Sequence, residues 1–171
     1  MLDTVFIGID VSSQTNAVHV MDNNGDKILG DEFPNSRNAS TEMLATILAK
    51  KDCKDKQLCF GLEATGRYGE HLAMFLRETA ILDKSSRDVF VLNPKQIKRF
   101  RDSYSDIPKT DFTDAFVIAD GLRFGRIGMK GSVVEDKYLA LQSLTCWRFQ
   151  IAKDLTREKN RYLQNLFLWQ H

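Results

Sequence analysis

Val5, Phe6, Ile7, Ile9 and Val11 make a near-continuous apolar run, the pattern of a strand covered on both faces, with one acid, Asp10, near its end. After the polar interval Ser12-Ser13-Gln14-Thr15-Asn16, a second strand is predicted through Ala17, Val18, His19, Val20 and Met21. Asp22-Asn23-Asn24-Gly25-Asp26 is a strong hairpin turn, because Asn and Gly tolerate positive φ. A third strand follows over about residues 27–33. Pro34-Asn35-Ser36 opens a helix over about residues 38–51, with Met43, Leu44, Ile47 and Leu48 on one face. Residues 57–62 read as a fourth strand ending in Glu63, and the loop Ala64-Thr65-Gly66-Arg67-Tyr68-Gly69 leads into a helix with Leu72, Phe75 and Leu76 on its apolar side. Residues 88–92 form a short fifth strand, stopped by Asn93-Pro94. A helix over about residues 111–124 has Phe112, Ala115, Phe116, Ile118, Ala119 and Leu122 on its apolar face; Gly125, Gly128 and Gly131 then mark a break. Beyond about Glu135, Leu141, Leu144, Trp147, Ile151, Leu155, Tyr162, Leu166 and Trp169 recur at three- and four-residue steps, giving one long amphipathic helix interrupted by Glu158.

The order β-β-β-α-β-α-β-α joins a three-strand antiparallel meander to crossovers that must be right-handed. It predicts an α/β fold with a mixed five-stranded sheet of order 3-2-1-4-5 flanked by helices, the ribonuclease H-like layout. The predicted boundary separates a domain over residues 1–130 from the long helix over 131–171. That helix alone would leave Leu144, Trp147, Ile151 and Leu155 in water, so it calls for a partner: a dimerisation arm, or a linker to a further domain. The chain stops at His171 inside the helical pattern, which reads as a piece of a longer protein.

A length of 171 residues, 43% hydrophobic and 27% charged, suits one domain with an extension. The formal net charge of +1 does not announce nucleic-acid binding, so a basic footprint must be local. Such a footprint lies within residues 94–110, where Lys95, Lys98, Arg99, Arg101 and Lys109 face only Asp102 and Asp106, with Phe100 and Tyr104 interleaved. It suits a phosphate backbone, and equally a solvated helix face. Cys53, Cys59 and Cys146 lack metal-ligand spacing and read as reduced thiols; His19, His71 and His171 share no such spacing either. With neither a signal peptide nor a membrane span legible, the expected location is the cytoplasm.

The acids carry the chemistry. Asp10 ends the first strand and Glu63 the fourth, which are neighbours in the predicted order. Asp111 and Asp114 are spaced i, i+3 on one face of a helix start. Four converging carboxylates repel and raise one another's pKa values, and hard oxygen donors at this density suit two Mg²⁺ or Mn²⁺ ions. Each acid also has a plainer role: Asp10 and Glu63 as strand-ending turn residues, Asp111 as a helix cap, Asp114 as a first-turn acid favoured by the helix dipole. Arg67 and Tyr68, beside Glu63, are candidates to orient a phosphate.

The strings Ile7-Gly8-Ile9-Asp10-Val11-Ser12, Gly61-Leu62-Glu63-Ala64-Thr65-Gly66-Arg67-Tyr68, Asn93-Pro94-Lys95-Gln96 and Lys109-Thr110-Asp111-Phe112-Thr113-Asp114-Ala115 appear in that order. Together, over residues 5–125, they resemble the DEDD transposases of bacterial insertion sequences, the family that includes the Piv-type DNA invertases. The resemblance implies a RuvC-like catalytic domain in which Asp10, Glu63, Asp111 and Asp114 are the metal ligands. It implies a bacterial DNA transposase or site-specific recombinase that cuts and rejoins phosphodiester bonds, works as a dimer or larger assembly, and takes a structured guide RNA. It further implies a C-terminal domain with a nucleophilic serine, which this chain does not reach. Two other readings remain open: an actin-like or sugar-kinase phosphotransferase, suggested by Gly8-Ile9-Asp10-Val11-Ser12-Ser13-Gln14-Thr15, and a non-catalytic nucleic-acid-binding module.

Overall fold

The computed structural model describes residues 3–63, 68–83, 86–104, 107–125 and 136–170. β1 (Thr4–Val11) pairs antiparallel with β2 (Thr15–Met21), from Phe6 opposite Met21 to Val11 opposite Asn16. β2 returns into β3 (Lys27–Pro34) through the predicted turn, where the Asp22 carboxylate accepts the N–H groups of Asn24 (2.9 Å) and Asp26 (2.8 Å) and Gly25 takes φ 92°. α1 (Arg37–Leu48), capped by the Ser36 hydroxyl, carries the chain across to β4 (Gln57–Glu63), parallel to β1. α2 (Glu70–Glu78) precedes β5 (Arg87–Leu92), parallel to β4. The sheet order is β3-β2-β1-β4-β5, as the meander and the right-handed crossover rule require.

The basic interval after Asn93 contains α3 (Pro94–Arg101), a helix beyond those in the predicted element order. Its start is well specified locally: the Asn93 side chain accepts the Lys95 N–H at 2.9 Å and Pro94 occupies the first turn. α4 (Asp111–Arg123) follows. The first predicted helix is shorter than expected, ending at Leu48 before a single 3-10 turn at Lys51–Cys53. Phe112 also departs from expectation, being 46% exposed, because the first turn of α4 lies beyond the buried stretch that begins at Ala115.

Alternation along β1 assigns the two faces of the sheet. Val5, Ile7, Ile9 and Val11 join Met43, Leu44 and Ile47 of α1 and Leu72, Ala73 and Leu76 of α2 in the larger core. Phe6 points the other way, into the cluster of Ile97 from α3 with Val117, Ile118 and Leu122 from α4. The result is three layers, helix on sheet on helix.

That second face is shaped by two glycines. Gly8 and Gly61 are register partners on β1 and β4. A Cβ on Gly8 would stand 2.0 Å from the Ala115 carbonyl oxygen and 2.5 Å from the Ala119 nitrogen; one on Gly61 would stand 2.7 Å from Leu122 and 2.9 Å from Ile118. The pair forms a trough in which α4 lies against the sheet, closer than any side chain would allow.

Residues 1–132 and 133–171 are separate compact units. In the second, α5 (Asp136–Gln170) is a single helix of 35 residues, about 52 Å long at 1.5 Å per residue. The predicted stripe is exposed along it, and so are Phe149, Leu163, Phe167 and Leu168, so the last turns are apolar on more than one side. Among the described residues no helix is long and apolar enough to cross a membrane. Cys53 and Cys59 are buried free thiols and Cys146 is an exposed one.

Candidate active site

Register brings the first two acids together. Ile9 pairs with Leu62 as the last rung of the β1–β4 ladder, so Asp10 and Glu63 are the next residues on adjacent parallel strands. Each stands two residues beyond a trough glycine, and side chains two apart share a face. Asp10 and Glu63 therefore project on the α4 side, at the carboxyl ends of the strands where open α/β sheets bind their ligands.

α4 brings the other two. Its residues Ala115 and Ala119 meet Gly8, so Asp111 and Asp114, up to one turn earlier, lie toward Asp10. Thr110 is the N-cap, its hydroxyl accepting the Thr113 N–H at 3.2 Å. The capping role open to Asp111 is thus taken by its neighbour, and Asp111 is exposed in the first turn.

The electrostatics report the convergence. Burial, then Asp114, Asp111 and Glu63 in that order, push the Asp10 carboxyl up to about 6, with Arg101 pulling the other way. Glu63 is raised by burial and by Asp114, and lowered by Lys109 and Arg101. Charge influence reaches much farther than the ~2.0–2.6 Å of a metal–oxygen bond. Among the described residues no group of three acid, histidine or cysteine side chains is arranged to hold a metal ion as it stands. The carboxylates share one field without closing on one point, and a cation already sits among them: a guanidinium nitrogen of Arg101 is paired with Asp114.

The basic segment is therefore divided. Lys95, Lys98 and Arg99 are exposed on α3, whereas Arg101 turns inward to Asp114. Lys109 is exposed, yet near enough to lower Glu63. Tyr68 is exposed, and its carbonyl accepts from the Asn35 side-chain amide at 3.2 Å, the same nitrogen that donates to the Ser12 carbonyl at 2.7 Å. Asn35 thus ties the loop after β1 to the segment before α2. Arg67 lies outside the described residues. The Ser12 hydroxyl is absorbed in its turn, accepting the Thr15 N–H at 2.9 Å and donating to the Thr15 carbonyl at 2.9 Å.

A supporting network was not anticipated from the sequence. Asp120, buried on α4, accepts from the Tyr104 hydroxyl and from Arg123 Nε at 2.8 Å, locking the segment after α3 onto α4. Burial and this bond push the Tyr104 hydroxyl up. His19 packs edge-on against Phe116 beside this network, and burial followed by Lys27 lowers its imidazole to about 4. The available signal was the lone acid in the apolar string Val117-Ile118-Ala119-Asp120-Gly121-Leu122, since a buried carboxylate demands partners.

Fold and site together define a three-layer α/β domain with sheet order β3-β2-β1-β4-β5, two acids at neighbouring strand ends and two in the first turn of α4. Residues 7–168 match the DEDD transposase family model, described as "Transposase", and the chain belongs to that family. In structure it is similar to RuvC of T. thermophilus, solved in complex with Holliday junction substrate, at 14% identity and a TM-score of 0.46, covering 73% of this chain and 98% of that one. No curated protein matches it in sequence. Family membership speaks against the phosphotransferase alternative.

Proposed function

We propose that this chain carries the catalytic centre of a DNA transposase or site-specific recombinase, with Asp10, Glu63, Asp111 and Asp114 holding divalent metal, Mg²⁺ or Mn²⁺, in two-ion form. The observation that carries the reading is the Asp10 carboxyl, lifted to about 6 by burial and by all three other acids. Such a donor set of hard oxygens, strained by its own charge, fits a divalent ion in chemistry, and the fit is completed by closing on it. Bound ions would supply Lewis-acid stabilisation to the attacking and leaving oxygens of a phosphodiester. The protein's own part is to hold two acids from the sheet and two from α4 in fixed relation, through the Gly8–Gly61 trough and the Asp120 network. Lys95, Lys98, Arg99 and Lys109 offer charge for the DNA backbone, with Lys109 near enough to act on Glu63, and Arg67 and Tyr68, which follow Glu63 in sequence, are the candidates to orient it. The same reading includes a structured guide RNA, and self-association through α5 with residues 131–171 as arm and linker.

The test is thermal melting with and without Mn²⁺. An ion bound only by the folded chain stabilises it by about 2.7 kcal/mol at a hundredfold excess over Kd. For a chain this size that is a rise of roughly 5–10 °C. Asp10→Asn should abolish most of the rise while leaving the metal-free protein at least as stable, since it removes a repelled charge. No Mn²⁺ response, together with a destabilised Asn variant, would assign Asp10 to structure alone.

A further inference from the structure

Arg101 belongs by sequence with the three other cations of α3, yet the fold treats it differently. Ile97 is buried, Phe100 packs edge-on against Tyr104, and Tyr104 is held by Asp120. These contacts fix the rotation of α3, and with it the side on which each cation emerges. Lys95, Lys98 and Arg99 reach solvent; Arg101 faces α4 and pairs with Asp114, the two side chains being only 21% and 17% exposed. Its second terminal nitrogen, Nη2, is buried and has no hydrogen-bond partner among the described residues. Among the described residues the guanidinium is therefore half-satisfied: one terminal nitrogen is engaged, and the other is removed from water without an acceptor.

We infer that Arg101 is the built-in counter-ion of the carboxylate cluster, and that it competes with a divalent cation for Asp114. The inference rests on the metal reading above. Arg101 Nη1 holds Asp114 Oδ1, and a metal ion drawn to that oxygen meets both an occupied acceptor and a positive charge beside it. The influence of Arg101 extends to Asp10 and Glu63, so its charge lies within the shared field of the cluster rather than at its rim. Ion entry then requires Arg101 to let go of Asp114, and a contact made through Nη1 alone is less costly to release than a fully forked pair. This role differs in sign from that of a residue that merely orients Asp114. Loss of an orienting residue weakens metal binding, whereas loss of a competitor strengthens it.

The experiment measures Mn²⁺ affinity of the whole chain by the electron paramagnetic resonance signal of free Mn²⁺, comparing wild type, Arg101→Gln and Arg101→Lys. Arg101→Gln should bind Mn²⁺ about tenfold more tightly, equivalent to ~1.4 kcal/mol. Arg101→Lys, which keeps the charge, should stay near wild type. If wild type binds and Arg101→Gln binds equally or more weakly, the competition is overturned while the metal reading stands. If neither binds, the metal reading falls and this inference with it. Should Gln loosen the fold, as the metal-free melting temperature would reveal, Arg101→Met keeps the apolar stem without the charge and carries the same expectation.

Discussion

Gly8 shows how much of the site depends on a missing side chain. A methyl group there would meet two backbone atoms of α4, at 2.0 and 2.5 Å, and neither belongs to a flexible side chain that can swing aside. Gly8→Ala must push α4 off the sheet, and overpacking of this kind costs about 1–3 kcal/mol, occasionally more. Urea denaturation should place Gly8→Ala at or above the upper end of that range, and the Mn²⁺-induced rise in melting temperature should shrink, because α4 carries Asp111 and Asp114. A stable Gly8→Ala protein with an undiminished Mn²⁺ response would show that the acids do not depend on the trough. At this scale the sequence was partly legible. Asp10 and Glu63 stood out as acids closing apolar runs, and a glycine inside a strand is a known sign of close approach. That Gly8 and Gly61 are register partners is a property of the folded ladder, which hydropathy along one strand does not contain. The same limit hid the capping role of Thr110: Thr and Asp are both good caps, and only the backbone decides which one is used.

At the scale of elements, α3 is the piece that composition described and periodicity did not. Four cations in eight residues look alike in a list, and only packing separates the one that turns inward from the three that face solvent. The outward face has a consequence for nucleic acid. If Lys98 and Arg99 neutralise backbone phosphates, reversing both to Glu should weaken DNA binding on all sequences alike. It should also lower the slope of log K against log salt by roughly one unit per lost phosphate contact. Filter binding over a salt series reads both quantities, and unchanged affinity would return this face to ordinary solvation. The melting response to Mn²⁺ should survive the double reversal, since neither residue touches the acids. Arg101 behaves in the opposite way, with metal affinity changing first, so the two experiments divide one basic segment into two roles. The strands themselves were legible because a meander followed by crossovers leaves a single sheet order once handedness is fixed.

At the scale of the whole molecule, the two units pose different energetic problems. The first buries its apolar residues on both faces of the sheet, with Val5, Ile7, Ile9, Met43 and Phe60 on one face and Val117 and Ile118 on the other at 0% exposure. The second is one helix, and a lone helix has no interior. Leu144, Trp147, Ile151 and Leu155 are all more than half exposed along it, and Trp169 is 90% exposed. Pairs such as Asp154 with Arg157 and Glu158 with Arg161 solvate its polar side, but exposed i, i+3 pairs stabilise a helix by only about 0.2–0.5 kcal/mol each. The apolar contribution is larger: fully burying a Leu or Ile side chain is worth about 1.5–3 kcal/mol. Two such helices covering each other's stripe would gain several times what the ion pairs give, and self-association is the expected outcome. Sedimentation velocity at tens of micromolar should show a dimer or larger species for the whole chain. Leu144→Glu with Ile151→Glu, which places charge inside the stripe without touching the first unit, should shift it toward monomer while leaving the melting response to Mn²⁺ intact. If the unmodified chain sediments as a monomer at that concentration, the stripe does not serve a second copy of this chain.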